Sequence, residues 1–442
     1  MINKYLTAIA LLFTGVGAFF SQAIAPEWSK NATIYEVNVR QFTPEGTFKA
    51  FEKDIPRLKK MGVDILWLMP INPIGMKNRK GSLGSYYAVR DYKAVNPEFG
   101  NMDDFKHLVA TAHANGMKVI IDWVANHSSP DNVWLDQGHK DWYTLDSTGN
   151  VQPTIGTDWW DVADLNYDNK EMRKEMISSM QYWLKETDID GFRCDVAGWV
   201  PTDFWIEARK QLDGTKKVFM LAEAEDIPLH QAFDMTYGWE FHHVMNDVAQ
   251  GKKNVQDIYK YIKDSKFPKT AYRMNFTSNH DENSWNGTEM ERMGDARFAM
   301  AVLAATIEGM PLVYNGQETS LDRRLKFFDK DQIDWTKMDL ADFYTKLLHL
   351  HQTNKALWNG TYGGEVKFLS AENETNVLVF EREKDGNKVI CVLNLSGKTQ
   401  NVSLENADLT GKYKDLFSGK KVTLKGKINF ELKPWSYKVY YK

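Results

Sequence analysis

Residues 189–199 read IDGFRCDVAGW, an apolar run that closes on Arg193, Cys194 and Asp195 before a turn of small residues. Two other segments have the same build. Residues 218–226, VFMLAEAED, end their apolar run at Glu223, and residues 274–285, MNFTSNHDENSW, end theirs at His280 and Asp281. Each predicts a β-strand with a carboxylate where the strand stops. A carboxylate is costly to desolvate, so three of them at strand ends point to a site and not to a core. Strand C-termini are where a parallel β/α barrel keeps its chemistry.

Working outward, five more short apolar runs complete the set: ATIYEVNV from Ala32, VDILWLMP from Val63, KVIIDWV from Lys118, AFDMTYG from Ala232 and MPLVYNG from Met310. Segments of charged, helical periodicity lie between them, such as FKAFEKDIPRLKKMG from Phe48 and MDDFKHLVATAHANG from Met102. Eight strands alternating with helices over residues 26–360 predict an α/β fold, a (β/α)8 TIM barrel. Runs that are apolar throughout fit strands covered on both faces. Residues 128–165, after the third strand, form a long connection rich in Asp, Gly, Trp and Pro. A connection of that length in a compact domain is expected to be functional. It is read as an inserted subdomain walling one side of the site. From 361 to 442 the pattern becomes short strands with turn signals such as Asp385-Gly386-Asn387, a C-terminal all-β sandwich domain.

The chain has 442 residues and a net charge of -4, which argues against a nucleic-acid binder. Its 15 Trp residues suit stacking on sugar rings and suit a large aromatic core equally. Residues 1–25 read as a secretory signal peptide: Lys4, an apolar stretch from Tyr5 to Phe20, and small residues before a cut after Ala23 or Ala25. The competing reading is an uncleaved anchor. Export places the mature protein in the periplasm or outside the cell. No other apolar stretch reaches transmembrane length, so no membrane span is expected after signal removal. Of the two cysteines, Cys194 alternates away from its neighbours' face and Cys391 sits in an apolar strand. Both read as buried hydrophobes, not as a disulfide.

Arg193 and Asp195, two apart on one strand, share a face. An Arg beside an Asp favours its ionised form, as a carboxylate nucleophile requires; a plain salt bridge is the alternative. Glu223 would have Asp195 and Asp281 as like-charged neighbours that raise its pKa. It could then act as general acid and afterwards as base. The alternative is an exposed loop carboxylate beside Glu225 and Asp226. His280 can donate to a sugar hydroxyl and Asp281 can grip two, unless Asp281 is only a helix cap. Asp122 and His127 after the third strand pose the same choice. Paired carboxylates are the usual equipment for cleaving a glycosidic bond.

Taken together these segments resemble the α-amylase family, glycoside hydrolase family 13, from about Trp28 to the end. DWVANH (122–127) matches the family's D-x-x-x-N-H segment, GFRCD (191–195) its G-x-R-x-D segment, LAE (221–223) its strand-five acid and SNHD (278–281) its N-H-D segment. DLN at 164–166 and YNGQE at 314–318 add to the match. The resemblance implies a retaining enzyme acting on an α-glucan or maltooligosaccharide. Asp195 matches the nucleophile, Glu223 the acid/base, and Asp281 the third carboxylate, which binds the sugar 2- and 3-hydroxyls. Tyr87 matches the stacking Tyr of the bond-cleaving subsite, and Arg193, His127 and His280 match the other residues that hold the sugar there. The chemistry implies no cofactor. Calcium is left open: Asn126 matches a family calcium ligand, but Gly198 and Trp199 stand where many relatives have Lys-His, whose His supplies another ligand through its backbone. Position 85 is Ser where many relatives have His or Asp, so subsite contacts differ. The expected activity is hydrolysis of α-1,4-glucosidic bonds in starch-like glucans or maltodextrins. An exo-acting α-glucosidase or glucanotransferase, or a non-catalytic glycan-binding protein, is the rival reading. Oligomeric state is open.

Overall fold

Ile34–Val37 (β1), Ile65–Leu68 (β2), Lys118–Trp123 (β3), Gly191–Cys194 (β4), Phe219–Ala222 (β5), Met235–Tyr237 (β6), Tyr272–Asn275 (β7) and Met310–Tyr314 (β8) pair in parallel, in chain order. β8 returns to β1 and closes the barrel. The structure, a computed structural model, describes residues 23–369, 373–405 and 409–442. Residues 1–22 of the expected signal peptide lie outside them. The expected TIM barrel is therefore present, with its inserted segment after β3 and an all-β C-terminal region.

The two-residue period of a strand sorts what the barrel contains. Ile34, Ile65, Trp67, Ile120, Leu221, Met235, Tyr237, Met274 and Leu312 cluster together as its buried interior. Continuing the same alternation toward the C-terminal ends places Glu36, Asp122, Arg193, Asp195 and Glu223 on the interior side. The intervening residues, among them Tyr35, Leu66, Ile121, Phe192, Cys194 and Met220, pack outward in a second core with the helices. Helix Met102–Ala114 shows how the outer layer is specified. Asn101 and Asp104 form a reciprocal capping box, and Phe105, Leu108, Val109 and Ala112 form its buried stripe.

The excursion after β3 is tied off at its base, where His127–Ser128 pairs antiparallel with Ala163–Asp164. Within it Trp134 stacks on Tyr92 at 4.7 Å and meets Trp142 edge-on at 5.2 Å.

The C-terminal region is a six-stranded antiparallel sheet faced by the two-stranded ribbon Gln400–Glu405/Lys427–Leu432. Leu378, Phe380, Val389, Cys391 and Val439 turn one face of the sheet onto barrel helices Trp239–Ala249 and Arg297–Thr306. Val377, Val379, Ile390 and Val392 turn the other face onto Val402, Leu404 and Leu432 of the ribbon. Arg382 crosses the interface with the barrel. It is buried, and it donates to the carbonyls of Ile307 and Gly364 at 2.8 Å and of Thr306 and Trp358 at 3.3 Å. Cys194 and Cys391 are both free and buried. Among the described residues no helix is long and apolar enough to cross a membrane.

Candidate active site

β4 and β5 set the centre of the site. Gly191 begins β4 because a Cβ there would lie 1.9 Å from Phe219 O on the neighbouring strand. The ladder then runs one step past each strand end: Asp195 N–H donates to Trp123 O at 2.9 Å and Glu223 N–H to Cys194 O at 3.0 Å. Both carboxylates thus stand on backbone held by the barrel. Between them lies Arg193, wholly buried. Its Nη1 donates to Asp195 Oδ1 at 3.0 Å and to Asp122 Oδ1 at 2.8 Å, and its Nε donates to Tyr237 OH at 3.1 Å. Its Nη2 lies 2.9 Å from Glu223 Oε2, an ion contact without hydrogen-bond alignment. The guanidinium rests 5.0 Å over the ring of Trp67. This is more than a salt bridge at a strand end, because one cation serves three carboxylates.

Directly after Asp195 the chain makes a strained turn. Val196 has φ 36° and ψ 45°, the left-handed region, which a β-branched side chain avoids. Such a conformation costs on the order of 1–3 kcal/mol and persists where its surroundings enforce it. It aims the Val196 N–H at Glu223 Oε2, 2.7 Å away.

A second string of contacts lines the floor. His280 Nε2 is 2.7 Å from Tyr87 OH, and Tyr87 OH donates to Asp122 Oδ2 at 3.1 Å. His280 Nδ1 is 2.5 Å from Oε1 of Glu36, a buried carboxylate of β1. Asp281 Oδ2 lies 3.3 Å from His280 Nε2. Asp281 precedes the π-helical turn Glu282–Asn286 without making a side-chain cap, so the capping reading does not apply. π-turns recur at functional sites; this one also carries the half-exposed Trp285, which packs against Phe327 at 5.2 Å. The Tyr87 ring stacks beside His280 at 5.4 Å and Phe327 at 6.1 Å.

Five carboxyl groups (Glu36, Asp122, Asp195, Glu223 and Asp281) therefore share one guanidinium and one imidazole. Burial raises Glu36, Asp122 and Glu223 above their ordinary values, and burial together with the Glu223 carboxylate raises Asp195 well above its own. This corrects two expectations. Arg193 lowers Asp195, but burial and Glu223 outweigh it. Glu223 is raised first by burial and only then by its acidic neighbour Asp281. Coupled carboxyls of this kind titrate as a unit and not one by one. The imidazole of His280 moves the other way: desolvation would lower it, but Asp281 and Glu36 raise it to about 9.

His127 sits apart from this cluster. Burial holds it neutral, at about 4. Asn126 Nδ2 lies 3.2 Å from its Nδ1, which leaves Nε2 to carry the hydrogen. Its ring meets Trp159 of the inserted segment edge-on, and Trp159 stacks on Trp199 at 5.5 Å. Trp199 is 55% exposed, so it is no core residue.

The side chain of Asn126 is anchored in the inserted segment. Its amide nitrogen is committed to Thr154 Oγ1 at 2.9 Å and to His127, and Thr154 in turn donates to Asp164 Oδ1 at 2.9 Å. Among the described residues no group of three or more His, Cys, Asp or Glu gathers to hold a metal.

Glu36, Val196, Trp159 and Phe327 were not expected from the sequence. Glu36 did carry a signal: it is a lone acid inside a continuously apolar strand, in the interior register. Val196 carried none, because a β-branched residue argues against its conformation.

A family model described as alpha amylase, catalytic domain, matches residues 28–343, and one described as maltogenic amylase, C-terminal domain, matches residues 366–439. The fold is similar to a noncanonic maltogenic alpha-amylase, AmyB, from Thermotoga neapolitana: TM-score 0.84, 32% identity, covering 93% of this chain and 99% of that one. It is similar also to an alpha-amylase from Lactobacillus plantarum: TM-score 0.83, 32% identity, covering 94% and 99%. A curated relative, alpha-amylase MalA of Haloarcula japonica, is 26% identical over 86% of this chain, which spans 58% of that relative's length.

Proposed function

The chain belongs to the α-amylase family of glycoside hydrolases, and from that premise we propose that it is an exported, retaining enzyme cleaving α-1,4-glucosidic bonds in starch-like glucans or maltodextrins. The observation that carries the reading is the buried Asp195–Glu223 pair that Arg193 spans. In the first step Glu223, whose pKa burial raises, gives a proton to the glycosidic oxygen as the C–O bond breaks. A carboxylate oxygen of Asp195 bonds to the anomeric carbon, making a glycosyl ester. In the second step Glu223, now a carboxylate, takes a proton from water. The oxygen of that water bonds to the anomeric carbon and the ester breaks, returning Asp195 as a carboxylate. The Val196 N–H holds Glu223 Oε2, leaving Oε1 to handle the proton. Tyr87 gives the reacting sugar a face, Asp281 grips its 2- and 3-hydroxyls, and His127 donates to it from Nε2 as charge develops, while Arg193 and His280, whose hydrogens go to protein partners, hold Asp195 and Tyr87 in place. Trp199, backed by Trp159, offers a surface to the leaving-group sugar. The leader-like residues 1–25 support export.

The second reading is exo action, favoured by the likeness to the maltogenic alpha-amylase AmyB. Early products from maltoheptaose and soluble starch decide between the two. A spread of medium-length maltooligosaccharides establishes endo action. Glucose or maltose alone from the outset moves the reading to an exo-enzyme, and products longer than the substrate to a transferase. No turnover, or an Asp195→Asn variant as active as the parent, would sink the hydrolase reading.

A further inference from the structure

We propose that Glu36, on β1, is a positioning residue for this reaction: it fixes the proton and orientation of His280 and, through Tyr87 and Asp122, helps hold Arg193 against Asp195. This rests on the hydrolase reading above for its catalytic meaning, but the geometry is independent of it.

The direction of each hydrogen bond carries the argument. Asp122 Oδ1 accepts from Arg193 and Oδ2 from Trp67 Nε1, at 3.2 Å, which marks Asp122 as an acceptor. Tyr87 OH, 3.1 Å from Oδ2, therefore spends its hydrogen on Asp122. Its oxygen is left to accept, and the group in reach is His280 Nε2 at 2.7 Å. So Nε2 must carry a hydrogen. The other ring nitrogen, Nδ1, faces Glu36 Oε1 at 2.5 Å. With Glu36 ionised, Nδ1 carries a hydrogen as well and the ring is an imidazolium. The chain of contacts then reads Glu36, His280, Tyr87, Asp122, Arg193, Asp195, and links β1, β3, β4 and the end of β7.

The surroundings of Glu36 suit this role. It is wholly buried, where an ionised carboxylate survives only with a partner. Its Oε2 has no hydrogen-bond partner, and His280, ahead of the more distant Arg193, is what favours its ionised form. The groups facing His280 are Glu36 from β1, Tyr87 from the connection after β2, Asp122 from β3, Arg193 from β4, Glu223 from β5 and its own neighbour Asp281. Asp281 and Glu36 raise the imidazole, while burial and Arg193 lower it. A histidine whose folded pKa is raised contributes stability fully below its ordinary 6.5 and loses it as pH rises through about 9. The same window limits its ability to donate from both nitrogens.

The test uses full-length protein with 15N-labelled histidine rings, the His280 signal being assigned by its loss in His280→Gln. In the parent, His280 should stay doubly protonated to about pH 9. In Glu36→Gln it should titrate within about one unit of 6.5. The alkaline limb of kcat/KM on an aryl maltooligoside should then move down by at least one unit: activity within a few-fold of the parent at pH 6 and down at least ten-fold at pH 8.5. Glu36→Asp should recover part of the limb. The same His280 titration in both proteins, or a loss of activity uniform across pH, overturns the proposal. If Glu36→Gln does not fold, the parent alone decides: a His280 neutral at pH 7.5 overturns it. If the parent cleaves no glucan, the functional reading fails while the titration still judges Glu36.

Discussion

Val196 donates its backbone N–H to Glu223 Oε2 at 2.7 Å, so the residue that follows Asp195 along the chain is the one that steadies the neighbouring carboxylate. The contact exists because Val196 is held in the left-handed region. Replacing it by glycine removes the side-chain strain and frees the turn. Val196→Gly should raise stability by about 1 kcal/mol, the strain relieved exceeding the entropy lost, and should lower kcat several-fold with little change in KM. Denaturant melts with steady-state kinetics check both. A drop in stability with kcat intact would mean that the turn is not strained and does not serve Glu223.

In the proposed mechanism Glu223 is the proton donor, and Glu223→Gln removes it but keeps the shape. Activity on maltooligosaccharides should fall by roughly 10²–10⁴-fold, the usual worth of a general acid. A glucosyl fluoride, whose leaving group departs without protonation, should lose far less in the step that forms the ester. Equal losses on both substrates would count against the assignment.

Trp199 and Trp159 stack at 5.5 Å, and in the proposed mechanism Trp199 carries the leaving-group sugar. Trp199→Ala should raise KM for maltoheptaose about ten-fold, about 1.4 kcal/mol of binding. An aryl maltoside with no sugar on that side should be turned over as before. Loss on both would make Trp199 a support for the Asp195 turn instead.

His351, buried on helix Ala341–Thr353 near the C-terminal sheet, is held neutral by burial, at about 3. Below its ordinary 6.5 the unfolded chain takes up a proton that the folded one refuses. Its contribution is therefore intact above pH 6.5 and is lost as pH falls toward 3. The difference in stability between His351→Leu and the parent should shift in favour of the variant by about 1.4 kcal/mol per pH unit between 6 and 4. Comparing the two proteins cancels the other groups. A difference constant across pH would show that His351 titrates normally in the fold.

All eight barrel strands were legible because both their faces are covered: continuous apolar runs such as VFMLAE have few other uses. Asp195, Glu223 and Asp281 were legible because each ends such a run. What escaped the sequence depended on neighbours brought from far along the chain. Glu36 meets His280 across 244 residues, and nothing local to IYEV names that partner. The balance of burial against Arg193 at Asp195 is likewise a property of the assembled cavity, so an Arg two residues away misled as to its ionisation. Trp199 could be core or rim by composition, and only its exposed stack on Trp159 separates the two. The left-handed turn at Val196 runs against its residue's own preference, and the tertiary context prevails.

The six-stranded sheet has a consequence for modularity. One of its faces belongs to the barrel helices, and Arg382 reaches across to three carbonyls, those of Thr306, Ile307 and Trp358, with no carboxylate among them. A chain cut at residue 360 would leave the barrel with an uncovered apolar wall and unanswered carbonyls, and would expose the matching face of the detached sheet. The C-terminal region is thus no appendage that a gene could shed or exchange freely. The barrel and the sheet should melt in one cooperative transition, and a shuffled descendant would have to inherit both halves of the seam together.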